Sequence, residues 1–124
     1  MKTLVVLAAS ALVMATATAV TTATIADPQT LDPKKIEAGQ AAFETQKCGV
    51  CHAVAGKGGK LASALDGVGK KLTEADLKKW LTEPAEMEKK LPTKPKMPMS
   101  TAMKSKKLTD ADVNALVAYM LTLK

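Results

Sequence analysis

The stretch KCGVCHA, residues 47–53, holds both cysteines and the only histidine of a 124-residue chain. Cys48, Cys51 and His52 fall within five positions, and no thiol or imidazole occurs anywhere else. Whatever these three side chains do, they do it together from one turn. The rest of the chain must fold so as to present that turn.

Four chemistries compete for C-x-x-C-H. A disulfide between residues three apart suits an exported protein but leaves His52 unexplained. A thioredoxin-type redox pair wants a βαβ setting, and no alternating β pattern is present. A structural zinc site needs four ligands, one more than this chain supplies. The fourth is attachment of a c-type haem, in which each thiol adds to a vinyl group and the adjacent imidazole becomes an axial ligand to iron. It is the only one of the four that uses all three residues and asks for no more.

The N-terminus points outward from the cytoplasm. Residues 1–26 carry one cation, Lys2, then an apolar run from Leu4 to Met14, then small residues with A-x-A spacing, which is the layout of a secretory signal peptide. Cleavage is expected after Ala19 or Ala26, giving a periplasmic or otherwise exported protein. An uncleaved anchor is the rival, since no charge falls between Lys2 and Asp27. Residues 27–32 read as a short linker and 33–124 as one domain. That domain has three aromatics, Phe43, Trp80 and Tyr119, and a chain so short buries only a modest core. A bound apolar group would supply the missing bulk.

Charge comes from 18 lysines and 12 acids, with no arginine. Lysine without arginine lacks the bidentate fork suited to phosphate, and few aromatics are available to stack on bases. Nucleic acid is therefore not an expected partner. A diffuse lysine coat suits salt-sensitive docking onto acidic surfaces of other proteins, with Lys47, Lys57, Lys60, Lys96 and Lys104 as candidates.

The elements read as helical throughout. Asp32 and Pro33 suit the cap and first position of a helix, which carries Ile36, Gly39 and Phe43 on one face. Gly39 marks a close crossing with another helix. After the motif, GKGGKLASALDGVGKK holds five of the seven glycines and reads as a loop that wraps something. Two further helices begin alike, KKLTEAD and KKLTDAD, where Thr73 or Thr109 caps and Asp76 or Asp112 follows three residues later. The last is read as amphipathic, through Val113, Leu116, Val117 and Met120. Between them, Pro84, Pro92, Pro95 and Pro98 favour an extended loop that carries Met87, Met97, Met99 and Met103.

Taken together, CGVCH, the Gly39/Phe43 helix, LDGVGKKL, DLKKWL, the Met/Pro loop and DVNALVAYM resemble a small monohaem class I c-type cytochrome of bacteria. The likeness covers about residues 33–124. It implies an all-α, cytochrome c-like fold of helices and loops wrapped around one covalent haem c. It further implies thioethers at Cys48 and Cys51, His52 as proximal ligand, and a first and last helix crossing at Gly39, Phe43, Leu116 and Tyr119. Trp80 maps either to a haem propionate or to plain helix packing. One departure stands out: the Gly-Pro usual in the loop after the motif is missing, so the acceptor for the histidine's other N–H has no obvious candidate.

With no second histidine, a methionine is the natural distal ligand. Met99 is the first choice, for its proline neighbour and intermediate distance from the last helix, with Met97 and Met103 as alternatives. His/Met iron has no open position for substrate, so the expected role is electron transfer rather than catalysis, in a respiratory or metabolic chain. Redox proteins with acidic docking surfaces are the expected partners, and a membrane enters only through their complexes unless the N-terminal segment is an anchor. Two other classes remain: a Met-rich copper-binding module using MPMSTAM, and a five-coordinate haem sensor or peroxidase-like protein. The latter lacks a distal histidine or arginine.

Overall fold

Asp32 starts the first helix as expected: its carboxylate accepts the Lys34 N–H at 2.9 Å, and Pro33 takes the first helical position. The computed structural model describes residues 31–124; the segment read as a signal peptide and most of the segment read as a linker lie outside the described residues. The helices are α1 (Pro33–Thr45), α2 (Val68–Lys71), α3 (Glu74–Thr82), α4 (Pro84–Glu88), α5 (Met99–Met103) and α6 (Asp110–Thr122). A 3₁₀ turn over Cys48–Val50 follows α1, and a two-rung antiparallel ladder joins β1 (Ala53–Val54) to β2 (Lys57–Gly58).

The crossing of α1 and α6 organises the rest. A Cβ at Gly39 would run into the backbone carbonyl of Ala115 and come within 2.8 Å of the Tyr119 Cβ. One turn further along, Phe43 meets Tyr119 edge to face, ring centroids 5.8 Å apart and planes at 63°. Glycine at 39 forgoes about 1 kcal/mol of helix propensity, and the helices approach backbone to backbone in return.

The core is Leu77, Leu116, Val117, Met120 and Leu121, with Phe43, Leu65, Val68, Leu72, Leu81 and Leu108 packed against it half-buried. Sequence periodicity makes α6 amphipathic, and Val113, Leu116, Val117 and Met120 are all buried while Ala111, Asn114 and Thr122 are exposed. Burial is wider than that stripe: Ala115 and Ala118 are buried too, so the turn Ala115–Ala118 is enclosed on every side. α6 is the central element, with α1, α2 and α3 each packed against it. Full burial of Leu77 and Leu116 contributes roughly 2 kcal/mol each.

Both capping boxes form. Thr73 and Thr109 accept the Asp76 and Asp112 N–H groups at 3.1 and 3.2 Å, and each aspartate bonds back to its threonine's N–H and hydroxyl. The proline-rich segment differs from the extended loop expected. It contains the one-turn helices α4 and α5, because Pro84 occupies the first position of α4 and Pro98 the cap of α5, sites where a missing N–H is harmless. The ladder Ala53–Gly58 was likewise not visible in composition. It is two residues per strand, turned by Ala55 (φ 50) and Gly56 (φ 75).

Gly39→Ala is expected to destabilise the protein by about 2 kcal/mol, the overpacking at Ala115 exceeding the gain in helix propensity; denaturant unfolding measures it. Bonds to Thr73 and Thr109 hold the Asp76 and Asp112 carboxyls below their ordinary range. Their contribution is present above the unfolded aspartate pKa, near 3.9, and is lost as pH falls through the lower folded values. Thermal unfolding followed from pH 7 to pH 2 should show that acid loss diminished in Thr73→Val/Thr109→Val, which is less stable than the parent at neutral pH.

Candidate haem attachment site

Three pieces of backbone build the turn that carries Cys48, Cys51 and His52. α1 ends at Gln46, and Lys47 then adopts a left-handed conformation (φ 55, ψ 36) that redirects the chain. The 3₁₀ turn closes behind it: Cys51 and His52 donate their N–H groups to the Cys48 carbonyl at 3.2 and 3.0 Å. Residues three apart lie on the same side of such a turn, and that is the spacing of Cys48 and Cys51. Both are free thiols, and a disulfide between them is not what holds the turn.

The glycine loop holds it from the other side, backbone against backbone. Gly59 donates its N–H to Gly49 O at 2.8 Å, Ala62 to Cys51 O at 3.0 Å, and Leu65 to Ala53 O at 2.9 Å. A Cβ on Gly59 would strike the Val50 carbonyl, so only glycine lets the loop come this close. Asp66 completes the clasp by accepting the Ala55 N–H at 2.7 Å.

The histidine's missing partner is in this loop. His52 Nδ1 lies 2.7 Å from the Ser63 backbone carbonyl. A carbonyl only accepts, so Nδ1 carries the proton and Nε2 keeps its lone pair. That is the tautomer and orientation a metal-ligating imidazole needs, supplied by a backbone oxygen. No side-chain signature could have announced Ser63, because any residue provides that carbonyl.

Burial pushes the Cys48 thiol up, with Lys106 nearby pulling it partly back. Lys106 is half-buried and its ammonium donates to the Gln46 carbonyl at the end of α1, tying the segment after α5 to the approach to Cys48.

The three methionines stand on that separate segment. Met99 and Met103 are half-buried at the two ends of α5, one helical turn apart, while Met97 precedes Pro98 and is 47% exposed. Cys48, Cys51 and His52 share one turn, while the three methionines come from a separate stretch of chain. Of the lysines expected near the site, Lys47, Lys57, Lys60, Lys96 and Lys104 are all exposed.

Two unpaired thiols three residues apart, beside an imidazole whose Nδ1 is bonded and whose Nε2 is free, form a donor set that fits covalent haem. The sequence model of cytochrome c matches residues 36–124. The chain belongs to the cytochrome c family. It is a small class I c-type cytochrome, all-α as expected; its cofactor is covalent haem c, and haem-based electron transfer is the family's activity. Neither the curated proteins nor the solved structures gave a match. Among the described residues of this cytochrome, no helix is long and apolar enough to cross a membrane.

The His52–Ser63 bond has a direct signature. In the ferrous haem-loaded protein the His52 Nδ1 proton should exchange with solvent at least tenfold more slowly than in a free imidazole complex, as followed by nitrogen-edited NMR. Exchange at the free rate would remove Ser63 from the account.

Proposed function

We propose that this cytochrome is an exported, non-enzymatic one-electron carrier in which Cys48 and Cys51 hold the haem through thioethers and His52 and Met99 coordinate its iron. The observation that carries this reading is the Ser63 carbonyl on His52 Nδ1, which leaves Nε2 as the only nitrogen available to a metal. Haem supplies a reversible one-electron change at iron; the chain's own residues fix its ligands and limit access to it. A second axial ligand must come from outside the Cys48–His52 turn, and with no other histidine in the chain a thioether is the available donor. Met99 is favoured because it opens α5, a placed element; Met97 and Met103 are the competitors. Two axial protein ligands leave no position for substrate, hence a carrier rather than a catalyst. The layout of residues 1–26 supports export, and respiratory or related metabolic electron transport is the setting in which such a carrier works.

Lysine is not spread evenly, contrary to a diffuse coat. Residues 89–107 hold seven lysines and no acid, while the rest of the described chain holds ten lysines against eleven acids. The net positive charge of the domain therefore resides in the methionine segment. Such asymmetry orients a protein in the field of an acidic partner and accelerates encounter. This segment, more than Lys47, Lys57 and Lys60 around the turn, is read as the surface that meets a redox partner with an acidic docking face.

Two measurements test the reading. Met97, Met99 and Met103 are replaced by Leu one at a time; the Met99 variant should lose the near-infrared methionine-to-ferric-iron band and fall in reduction potential, and an unchanged band in all three would overturn methionine ligation. Electron-transfer rates with an acidic redox protein should drop as ionic strength rises. Lys94→Glu/Lys96→Glu should slow the low-salt rate about tenfold more than Lys57→Glu/Lys60→Glu, and equal slowing would contradict the docking surface.

A further inference from the structure

α5 begins without a cap of its own. Its cap residue is Pro98, which has no side-chain acceptor to offer the first-turn N–H groups. The acceptor comes from another helix. Glu88, the last residue of α4, takes the Ser100 N–H on Oε1 at 2.8 Å and the Ser100 hydroxyl on Oε2 at 2.7 Å. Both carboxylate oxygens are thus spent on one residue, twelve positions along the chain and immediately after Met99. These bonds hold the Glu88 carboxyl below its ordinary range, with the Met99 N–H adding to them.

Glu88 is itself well founded. Its neighbour Met87 is buried, 7% exposed, and is the only buried residue of 84–107. α4 starts on Pro84, packs against α3, and packs against α5. A continuous line therefore runs from α3 through α4 and Glu88 to Ser100 and the methionine segment. Residues 89–99 between the two anchors contain three prolines, Pro92, Pro95 and Pro98, which narrow the freedom of the loop the clamp must close. The neighbouring Glu86 does something different: it makes an exposed ion pair with Lys89, the cap of its own helix, at 2.6 Å.

We propose that Glu88 is a positioning residue for the distal iron ligand: by gripping the N–H and hydroxyl of Ser100 it fixes where the methionine segment is held, and so sets how firmly a methionine ligates. This rests on the reading that one of Met97, Met99 and Met103 ligates the iron. The carboxylate acts through Ser100 and touches no redox group. Glutamine at 88 keeps one accepting oxygen and the shape, so it retains one of the two bonds; alanine retains neither.

The test uses the haem-loaded full chain and the variants Glu88→Ala, Glu88→Gln, Ser100→Ala and Glu86→Ala. In Glu88→Ala the Ser100 amide should exchange at least tenfold faster, the near-infrared methionine band should fall to half or less, and the reduction potential should drop. Glu88→Gln and Ser100→Ala, each keeping one bond, should lie between it and the parent. Glu86→Ala should match the parent on all three readouts. Faster exchange with an unmoved band and potential would make the clamp merely structural and overturn the proposal. Equal effects of Glu86→Ala and Glu88→Ala would trace them to α4 as a whole and overturn it too. A band absent from the parent protein would instead strike the coordination reading, and the proposal with it.

Discussion

The site depends on one loop of backbone closing on one turn of backbone. Gly59 against Val50, Ala62 on the Cys51 carbonyl and Ser63 on His52 Nδ1 are contacts in which side-chain identity matters only by its absence or not at all. Because main-chain groups do most of the holding, the two thiols are left without structural duties and His52 spends only Nδ1. The thiols are free to form thioethers, and the imidazole keeps one nitrogen for iron. A turn stabilised instead through Cys48 or Cys51 would have consumed the groups it exists to present.

The remaining architecture serves that arrangement from a distance. α1 sets the turn's starting point, and its own position is set by the bare backbone at Gly39 lying on Ala115. α6, enclosed over the turn Ala115–Ala118, is the common wall for α1, α2 and α3. Gly69 ties α2 to the end of α6 by donating to the Leu123 carbonyl at 2.9 Å, satisfying an acceptor that the helix terminus leaves open. The methionine segment is joined to this frame at two points, Glu88 and Lys106, one through a carboxylate and one through an ammonium. Apart from Lys106, its lysines are exposed and gain little from folding, since charges in water interact weakly; their concentration there makes sense as a property of encounter.

Much of this was legible in residue order. CGVCH specifies its chemistry through spacing, the Thr-x-x-Asp starts specify two helix caps, and a glycine inside a helix specifies a close crossing; each rests on a local rule that tertiary context did not override. What the sequence concealed was of two kinds. Ser63 and Gln46 act through carbonyls that every residue possesses, so nothing distinguishes them before the chain is folded. Glu88 and Ser100 meet across twelve residues by a tertiary contact, and an exposed-looking glutamate in EMEKK gives no hint of it. The prolines misled in a third way: they stop long helices but start short ones, and α4 and α5 each use one at the first turn. The amphipathic reading of α6 found the buried stripe but understated its width, because alanines at 115 and 118 count weakly in a hydrophobic pattern yet are buried like the leucines beside them.

The central claim is that this turn is a covalent attachment device for haem c, with one thioether at each cysteine. Peptide mass spectrometry of the protein, made in a host able to attach the cofactor, addresses it most directly. The account predicts a proteolytic fragment spanning Cys48, Cys51 and His52 that carries the mass of one haem, with Cys48→Ala and Cys51→Ala fragments each still bonded at the remaining sulfur or failing to load. A fragment with the mass of its amino acids alone, both thiols open to alkylation, would contradict it.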